Sequence, residues 1–366
     1  MESEQQLSAT LRALLLFDIA EEIDLARLHT IMGTSPSKRE PAFRHPAPEY
    51  VRYERAPVVE QLEPIETNSH HLLSGRIRYF EYGVASVELR LEFQGAWESL
   101  IQFAHRWISS AELEGRVHEL LRQRMQRIGP ALSKSYEGWI TEDYYVIQVN
   151  PILRNGVAVT AEELIQHRGV EIAQIVRGDE CPLSTGERQE VLQSSMSYYP
   201  SDLLVVGWVA AFVYDQANAA SPTIDLLEYA NTQLLEFRYY DEVLTRVLAE
   251  VYKQLEQKRG FWSRWKLAQE AQNLNTIRLD CRELTERTDN AIKFLSDMFY
   301  ARAYRLAAAR IGVTDYRNLV NEKLTTAEDL YDSMVTEFHQ GRAFVLELLV
   351  VIILIIEIAL VFRGKS

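Results

Sequence analysis

Residues 76–93 read RIRYFEYGVASVELRLEF, which gives two strand-like runs on either side of Gly83. Two such runs around a glycine predict a β-hairpin or a bend. Upstream, TLRALLLFDIA (10–20) predicts a strand and EEIDLARLHTIMG (21–33) a helix, and a further helix is predicted from about Trp97 to Gln126. The first part of the chain therefore has the order strand, helix, hairpin, helix.

A similar order recurs downstream. WITEDYYVIQVN (139–150) predicts a strand, and 160–178 predicts a helix that opens with a capping box of Thr160 and Glu163. After a short helix near Ser184, residues 195–215 give two strands, and a long helix is predicted after Pro222. We therefore predict an α+β domain over residues 1–220, and we hypothesise that it is a duplicated strand–helix–hairpin–helix unit.

Residues 34–72 are rich in proline and contain six of the eleven prolines of the chain. Because proline lacks a backbone donor and interrupts helices, this stretch is predicted to be an extended excursion with at most an edge strand, at Tyr50 to Arg55.

Residues 221–342 are predicted to form an all-α stalk. Apolar residues recur there at steps of three and four, in series that include Leu244, Leu248 and Val251 and, later, Val320, Leu324 and Ala327. Sustained heptads indicate helices that wind on partners, and a turn at residues 259–262 makes the first pair antiparallel. We therefore predict an antiparallel coiled coil.

Residues 343–362 read AFVLELLVVIILIIEIALVF, and Glu347 and Glu357 are their only charged members. Twenty helical residues span about 30 Å, which is the thickness of the hydrocarbon core of a bilayer. We predict one C-terminal transmembrane helix. Glu347 lies near the interface, and Glu357 either snorkels, pairs with Arg363 or stays protonated.

The composition restricts the class of partner and the compartment. The formal net charge of −13 argues against direct binding of nucleic acid, which needs clustered basic residues. Cys181 and Cys281 fit no disulfide or metal motif, as is typical of a reducing compartment. The acidic, polar start of the chain is not a signal peptide, so we expect the bulk of the chain on the cytoplasmic side.

No motif for catalysis, a metal or a cofactor is recognisable, and none of the three is predicted. Two clusters are candidates for interaction. The first is Tyr198, Tyr199, Pro200 and Asp202, for which the alternative is turn chemistry with Asp202 bonded to backbone amides. The second is Glu236, Arg238, Tyr239, Tyr240 and Asp241. Asp241 falls at a core heptad position, where a register-fixing salt bridge to Arg282 or Arg287 is the alternative to a ligand site.

These clusters also carry a resemblance to a known family. YYPSDLLVVGW, LLEFRYYDEVL, the apolar C-terminus and the earlier IRYFEYGVASVEL resemble the required-for-meiotic-nuclear-division family. The resemblance implies a membrane-bound protein without known catalytic residues, whose mitochondrial relatives support translation at the inner membrane. It implies a bacterial member on the plasma membrane here, although Ser86, Val87 and Glu88 stand where relatives tend to carry a large aromatic residue.

The function expected from the sequence is a membrane-anchored, non-enzymatic scaffold or tether. The stalk and the anchor would hold a homo-oligomer, and the α+β domain would bind an unidentified protein partner. The alternative is an enzyme, or a sensor of a nucleotide or small molecule, with a pocket between the two α+β units.

Overall fold

The structure is a computed structural model of the chain, and it describes residues 6–34, 56–66, 72–154, 156–256, 275–283, 286, 298–330, 332 and 350–351. Residues 76–93 form the predicted hairpin. Strands β4 (Leu72–Tyr79) and β5 (Val84–Gly95) pair in antiparallel fashion. Gly83 between them has a φ of 92°, and a Cβ there would lie 1.7 Å from the carbonyl oxygen of Ala20. Only glycine fits this turn, because a side chain would be both strained and obstructed.

The hairpin belongs to an eight-stranded sheet with the order β10-β11-β12-β7-β1-β5-β4-β3. Neighbouring strands are antiparallel except for β7 and β12, which are parallel. The other strands of this sheet are β1 (Leu7–Asp18), β3 (Val58–Glu66), β7 (Thr141–Val149), β10 (Ser195–Met196), β11 (Leu203–Val206) and β12 (Ala210–Tyr214). Two small sheets pair β2 (Ala20–Ile23) with β6 (Leu132–Ser135) and β8 (Leu153–Arg154) with β9 (Val157–Ala158). The predicted α+β class is confirmed.

Strand β3 ends the sheet and lies within the predicted proline-rich excursion. It carries Pro64, and its pairing with β4 shifts register between Leu62 and Ile65. Proline is tolerated in this position because an edge strand has backbone groups outside the ladder. The edge strand predicted at Tyr50 to Arg55 lies outside the described residues.

In the part of the chain that the structure describes, five α-helices precede the long C-terminal helices: α1 (Leu25–Met32), α2 (Trp97–Ile108), α3 (Glu112–Ile128), α4 (Ala161–Arg177) and α5 (Thr185–Leu192). The capping box of Thr160 and Glu163 is present at the start of α4, as predicted. The single helix predicted from Trp97 to Gln126 is wrong, because it divides into α2 and α3. At the division, the Ser110 hydroxyl accepts a hydrogen bond from the amide of Glu112, which gives the backbone an alternative to continuing the helix.

The two faces of the sheet differ in chemistry. Side chains at alternate positions of β1, such as Leu11, Ala13 and Leu15, join a hydrophobic core that includes residues of α1 to α5. The intervening position Arg12 points to the opposite face, since successive side chains of a strand alternate. That opposite face carries the polar residues described below.

Helix α6 (Ala217–Glu256) begins earlier than the sequence predicts. The predicted start after Pro222 is wrong, since Pro222 lies inside the helix. The amides of Ala219 and Ala220 both donate to the carbonyl oxygen of Gln216, so the first turn is complete before the proline. Beyond α6, the described helical residues are α7 (275–283), α8 (Met298–Ile311) and α9 (313–330).

The chain divides into two compact units. The first comprises Met1–Arg238 with Arg287–Tyr316, and the second comprises Tyr239–Glu286 with Arg317–Ser366. In the second unit, Leu248 and Val251 of α6 pack with Ala327 of α9, so described members of the predicted heptad series are buried. The turn predicted at residues 259–262 lies outside the described residues.

Within the part of the chain that the structure describes, no helix is both long enough and apolar enough to span a bilayer. The predicted span 343–362 lies outside that part except for Val350 and Val351. Glu347 and Glu357 lie outside it as well.

Candidate functional site

The polar face of the sheet is centred on Glu88 of β5, which is fully buried. Three arginines surround its carboxylate. Arg12 of β1 approaches to 2.6 Å, Arg76 of β4 to 2.5 Å and Arg90 of β5 to 2.7 Å. The strand register brings these four residues together across three neighbouring strands.

This arrangement keeps Glu88 ionised. Burial alone would raise its pKa, but the charge of Arg76, the hydrogen bond from Arg90 and the charge of Arg12 lower the pKa to about 2. A buried carboxylate is stable only when it is paired and hydrogen-bonded, and this one meets both conditions. At neutral pH the cluster therefore contains one anion and three cations.

Two acids of α6 supply further negative charge to the same face. Asp225 accepts hydrogen bonds from Arg78 and, at 3.4 Å, from Arg76. Oε2 of Glu228 lies 3.0 Å from Nη1 of Arg78, but with the described residues neither carboxylate oxygen of Glu228 makes a hydrogen bond of good geometry. Burial raises the pKa of Glu228, against the opposing influence of Arg78 and Arg76.

Residues further along α6 also make polar contacts with the strands and with the turn between β4 and β5. The hydroxyls of Tyr82 and Thr232 are 2.8 Å apart. Arg238 pairs with Glu142 of β7 and donates at 3.3 Å to the carbonyl oxygen of Thr141. From Asp225 to Arg238, α6 is thus fastened to the sheet by a succession of polar contacts.

Asp18 lies at the end of β1 and is 2% exposed. Burial raises the pKa of its carboxyl group to about 8. Asp18 is therefore largely protonated at neutral pH, in contrast to Glu88.

A small cleft lies beside the ends of β11 and β12. Its lining includes Tyr198, Asp202 and Asp215, together with Thr223 of α6 and Phe299 and Tyr300 of α8. The volume that a water-sized group can occupy is about 30 Å³. A cleft of this size holds about two such groups, since one water needs roughly 10–15 Å³.

Two members of the first predicted cluster, Tyr198 and Asp202, line this cleft. Oδ1 and Oδ2 of Asp202 accept hydrogen bonds from the amides of Tyr198, at 2.8 Å, and Tyr199, at 3.1 Å. The alternative of turn chemistry is therefore confirmed for Asp202. The carbonyl oxygen of Pro200 accepts a 2.7 Å hydrogen bond from the amide of Ala161, which ties the turn to the start of α4.

The second predicted cluster is divided between the two units. Glu236, which is buried, and Arg238 belong to the first unit, whereas Tyr239, Tyr240 and Asp241 belong to the second. The rings of Tyr239 and Tyr240 meet edge to face at 5.4 Å.

Among the described residues, Asp241 pairs with a lysine and not with Arg282, the first of its two predicted partners. Its Oδ1 accepts a 2.5 Å hydrogen bond from Nζ of Lys323 on α9. Arg282 instead lies 3.5 Å from the carboxylate of Glu328, and Arg287 is outside the described residues. The prediction counted residues along a hairpin, whereas the pairing depends on which helix α6 packs against.

The sequence interpretation missed Arg12, Glu88, Asp225 and Glu228 as members of one cluster. A signal was present, because charged residues at alternate positions of the hairpin, Arg76 and Arg78 in β4 and Glu88 and Arg90 in β5, mark a polar sheet face. The described residues contain no group of three or more His, Cys, Asp or Glu side chains that could hold a metal ion.

In comparisons with known proteins, this chain matches the model of an uncharacterized family and an uncharacterized protein. The family model described as the N-terminal domain of the uncharacterized protein MJ0711 matches residues 8–221, more than half of the chain. The uncharacterized protein MJ0711 of Methanocaldococcus jannaschii is 23% identical over 171 residues, 47% of this chain and 52% of that protein. The chain thus spans about half of the length of that relative. No solved structure matches.

The resemblance to the required-for-meiotic-nuclear-division family is therefore wrong, because the matching family is a different one. The blocks that suggested it are short strand and helix patterns with an apolar C-terminus, which unrelated α+β proteins can share. The implied link to mitochondrial translation rested on that resemblance alone.

Proposed function

The chain belongs to the family of the N-terminal domain of the uncharacterized protein MJ0711, and from this premise we propose that it is a non-enzymatic scaffold or tether. In this proposal the α+β unit binds an unidentified protein partner. The apolar segment 343–362 holds the chain in a membrane.

The observation that carries the proposal is the attachment of α6 to the polar face of the sheet. The charged groups that catalysis would use, Glu88, Arg12 and Arg76, are engaged with one another in buried ion pairs. Such pairs fix the position of one element on another rather than present groups to a substrate. Helix α6 then continues to Glu256 and supplies residues to both units, so that one element serves the binding unit and the helical unit.

The helical unit is proposed to assemble the chain into a homo-oligomeric platform. Buried Leu248, Val251 and Ala327 support a heptad seam in the described part of that unit, and an antiparallel coiled coil is the arrangement we propose for it. Cys181, which is exposed, and Cys281, which is buried, form no disulfide among the described residues, and the bulk of the chain is proposed to lie on the reducing, cytoplasmic side.

The α+β unit is proposed to derive from a duplicated strand–helix–hairpin–helix element. Its support is that β3, β4 and β5 flank the central pair β1 and β7 on one side, and β10, β11 and β12 flank it on the other. The strand directions differ, however, since β5 is antiparallel to β1 while β12 is parallel to β7.

Affinity capture of the full chain from detergent-solubilised native membranes, followed by mass spectrometry, tests the proposal. We expect a specific protein to co-purify in near-stoichiometric amount. Its recovery should fall when an exposed residue of the α+β unit, such as Trp208, is changed to Asp, while the capture of a Glu98→Gln control is unchanged. Recovery of the chain alone, as a monomer, would contradict the scaffold.

A sensor of a small molecule is the second candidate, and the cleft beside β11 and β12 favours it. The cleft lies in the second half of the sheet and not between the two halves. A sensor would gain stability on binding its ligand, so a thermal-shift screen of metabolite-sized compounds on the same detergent-solubilised chain separates it from a scaffold.

A further inference from the structure

Glu228 is a buried acid on the side of α6 that packs against the polar sheet face. It is 0% exposed, and Nη1 of Arg78 lies 3.0 Å from its Oε2. Among the described residues, neither of its carboxylate oxygens makes a hydrogen bond of good geometry. By contrast, three arginines donate hydrogen bonds to the buried carboxylate of Glu88. A buried carboxylate without hydrogen bonds is strongly destabilising when it is ionised, so Glu228 differs from Glu88 in its physical situation.

Burial raises the pKa of Glu228, and the charges that act on it oppose one another. Arg78 and Arg76 of β4 favour its ionised form, whereas Glu88 of β5 and Asp225 of α6 disfavour it. Asp225 contacts both arginines as well, so neither cation serves Glu228 alone. Further ionisable side chains on the same sheet face are Arg12 and Asp18 of β1, Arg90 and Glu92 of β5, and Glu142 of β7. With two cations opposed by two anions, burial decides the ionisation of Glu228.

A second residue of α6 has the same shortage of hydrogen-bond donors. Asn231, three residues further and therefore on the same side of the helix, is 0% exposed, and its Oδ1 has no hydrogen-bond partner among the described residues. Its amide nitrogen donates to the carbonyl oxygen of Leu227. The two side chains thus present three buried acceptor oxygens without a donor. A proton on Glu228 supplies a donor and removes the buried charge, whereas a metal cation would be repelled by the guanidinium of Arg78.

We propose that α6 packs on the sheet with the side chain of Glu228 protonated, so that this packing takes up one proton and weakens as the pH rises. In the unfolded chain the group titrates near its ordinary pKa of 4.5, and in the folded chain its pKa is higher. The contribution of Glu228 to stability is therefore fully present below about pH 4.5 and is lost as the pH rises through the folded pKa. The inference is independent of membrane attachment and of oligomer formation.

Urea unfolding of the full-length chain in mild detergent, from about pH 4 to about pH 9, tests the proposal. Every sample carries Asp18→Asn, which removes the titration of Asp18, and Glu228→Gln is the neutral variant. We expect the unfolding equilibrium constant of the parent chain, divided by that of Glu228→Gln, to be constant below about pH 4.5. Above that pH the ratio should rise by up to about tenfold per pH unit until the folded pKa is passed. Glu98→Gln, exposed on α2, is the matched control, and its ratio to the parent chain should not change with pH.

Infrared spectroscopy detects the protonated group itself, because the carbonyl stretch of a carboxylic acid is separate from the bands of a carboxylate. Labelling only glutamate with ¹³C excludes aspartate from the labelled bands. Glu347→Gln and Glu357→Gln remove the two acids of the apolar segment. At about pH 6, where an ordinary glutamate is ionised, we expect a labelled carboxylic-acid band. The band should lose intensity in Glu228→Gln and keep it in Glu98→Gln.

Several results would overturn the proposal. A stability ratio that is constant from about pH 4 to about pH 9 would mean that folding does not change the pKa of Glu228. A ratio that falls as the pH rises would mean that Arg78 stabilises the ionised form. An undiminished carboxylic-acid band in Glu228→Gln would assign the proton to another glutamate. Should Glu228→Gln fail to fold, the labelled chain without that change decides: the presence of the band supports the proposal, and its absence overturns it.

Discussion

Nη1 of Arg12 on β1 lies 2.6 Å from Oε1 of Glu88 on β5, where Arg12 is 8% exposed and Glu88 is fully buried. Arg76 and Arg90 also lie close to this carboxylate, so Glu88 pairs with arginines from three neighbouring strands. The carboxylate of Glu88 is therefore the counter-charge that these three arginines share.

Glu88→Gln should destabilise the α+β unit by about 3–5 kcal/mol, because it removes the counter-charge from the buried guanidinium of Arg12 and one of the two carboxylates that contact Arg76. The measurement is the free energy of unfolding in urea at pH 7. Glu92→Gln is the matched control, since Glu92 is exposed on the same strand and accepts a 2.9 Å hydrogen bond from the hydroxyl of Thr10. Equal losses in the two variants would show that the arginines do not depend on Glu88.

Asp18→Asn should make stability less dependent on pH. The folded-state pKa of Asp18 is raised to about 8 from 3.8, so its contribution is fully present below about pH 3.8 and is lost as pH rises towards 8. The asparagine of the variant stays neutral. The difference in the free energy of unfolding between the variant and the natural chain should therefore grow in favour of the variant, from near zero at pH 4 by up to about 1.4 kcal/mol per pH unit. Chemical unfolding at several pH values measures this, and Glu22→Gln, exposed on β2, should follow the natural chain. Parallel curves for Asp18→Asn and the natural chain would refute the raised pKa.

Asp241 and Lys323 should be energetically coupled, whereas Asp241 and Arg282 should not. A double-mutant cycle of Asp241→Asn and Lys323→Gln should give a coupling of about 1 kcal/mol, because both side chains are only partly buried. The cycle of Asp241→Asn with Arg282→Gln should give about zero. A larger coupling to Arg282 would mean that the helices pair in the register expected from the sequence.

Deletion of residues 343–366 should move the chain from carbonate-washed membranes to the soluble fraction. The reason is that the twenty-residue apolar run supplies the hydrophobic attachment, while the α+β core lies upstream. Deletion of 363–366 alone is the control and should leave the chain in the pellet. Retention of the longer deletion in the membranes would show a different attachment.

Single cysteines at Phe338 and Gly341 should form disulfides between chains in native membranes, after Cys181 and Cys281 are changed to alanine. The bilayer confines chains to parallel orientations and raises their effective concentration, and Gly341 permits close approach. A cysteine at His70 should remain monomeric and serves as the control. Monomer at all three positions under oxidising conditions would favour the sensor.

The sequence by itself determined the features that depend on nearby residues. The hairpin at Gly83 follows from a local backbone requirement, and the capping box at Thr160 and the Asp202 turn follow from side chains that reach amides three or four residues away. Each of these can be predicted because the partners are fixed by spacing along the chain. The alternation of apolar and charged residues in β4 and β5 also indicated a polar sheet face, but it did not show which residues of other elements pair with that face.

Only the tertiary structure decided which distant groups meet. Glu88 pairs with an arginine 76 residues away, and Asp241 pairs with a lysine 82 residues away. The strand order and the parallel pairing of β12 with β7 likewise join segments that are distant along the chain. The residues next to a carboxylate in the sequence do not show which cation it pairs with. The pKa of the carboxylate and its contribution to stability depend on its burial and on that cation. Those quantities exist only once the strands and helices have packed.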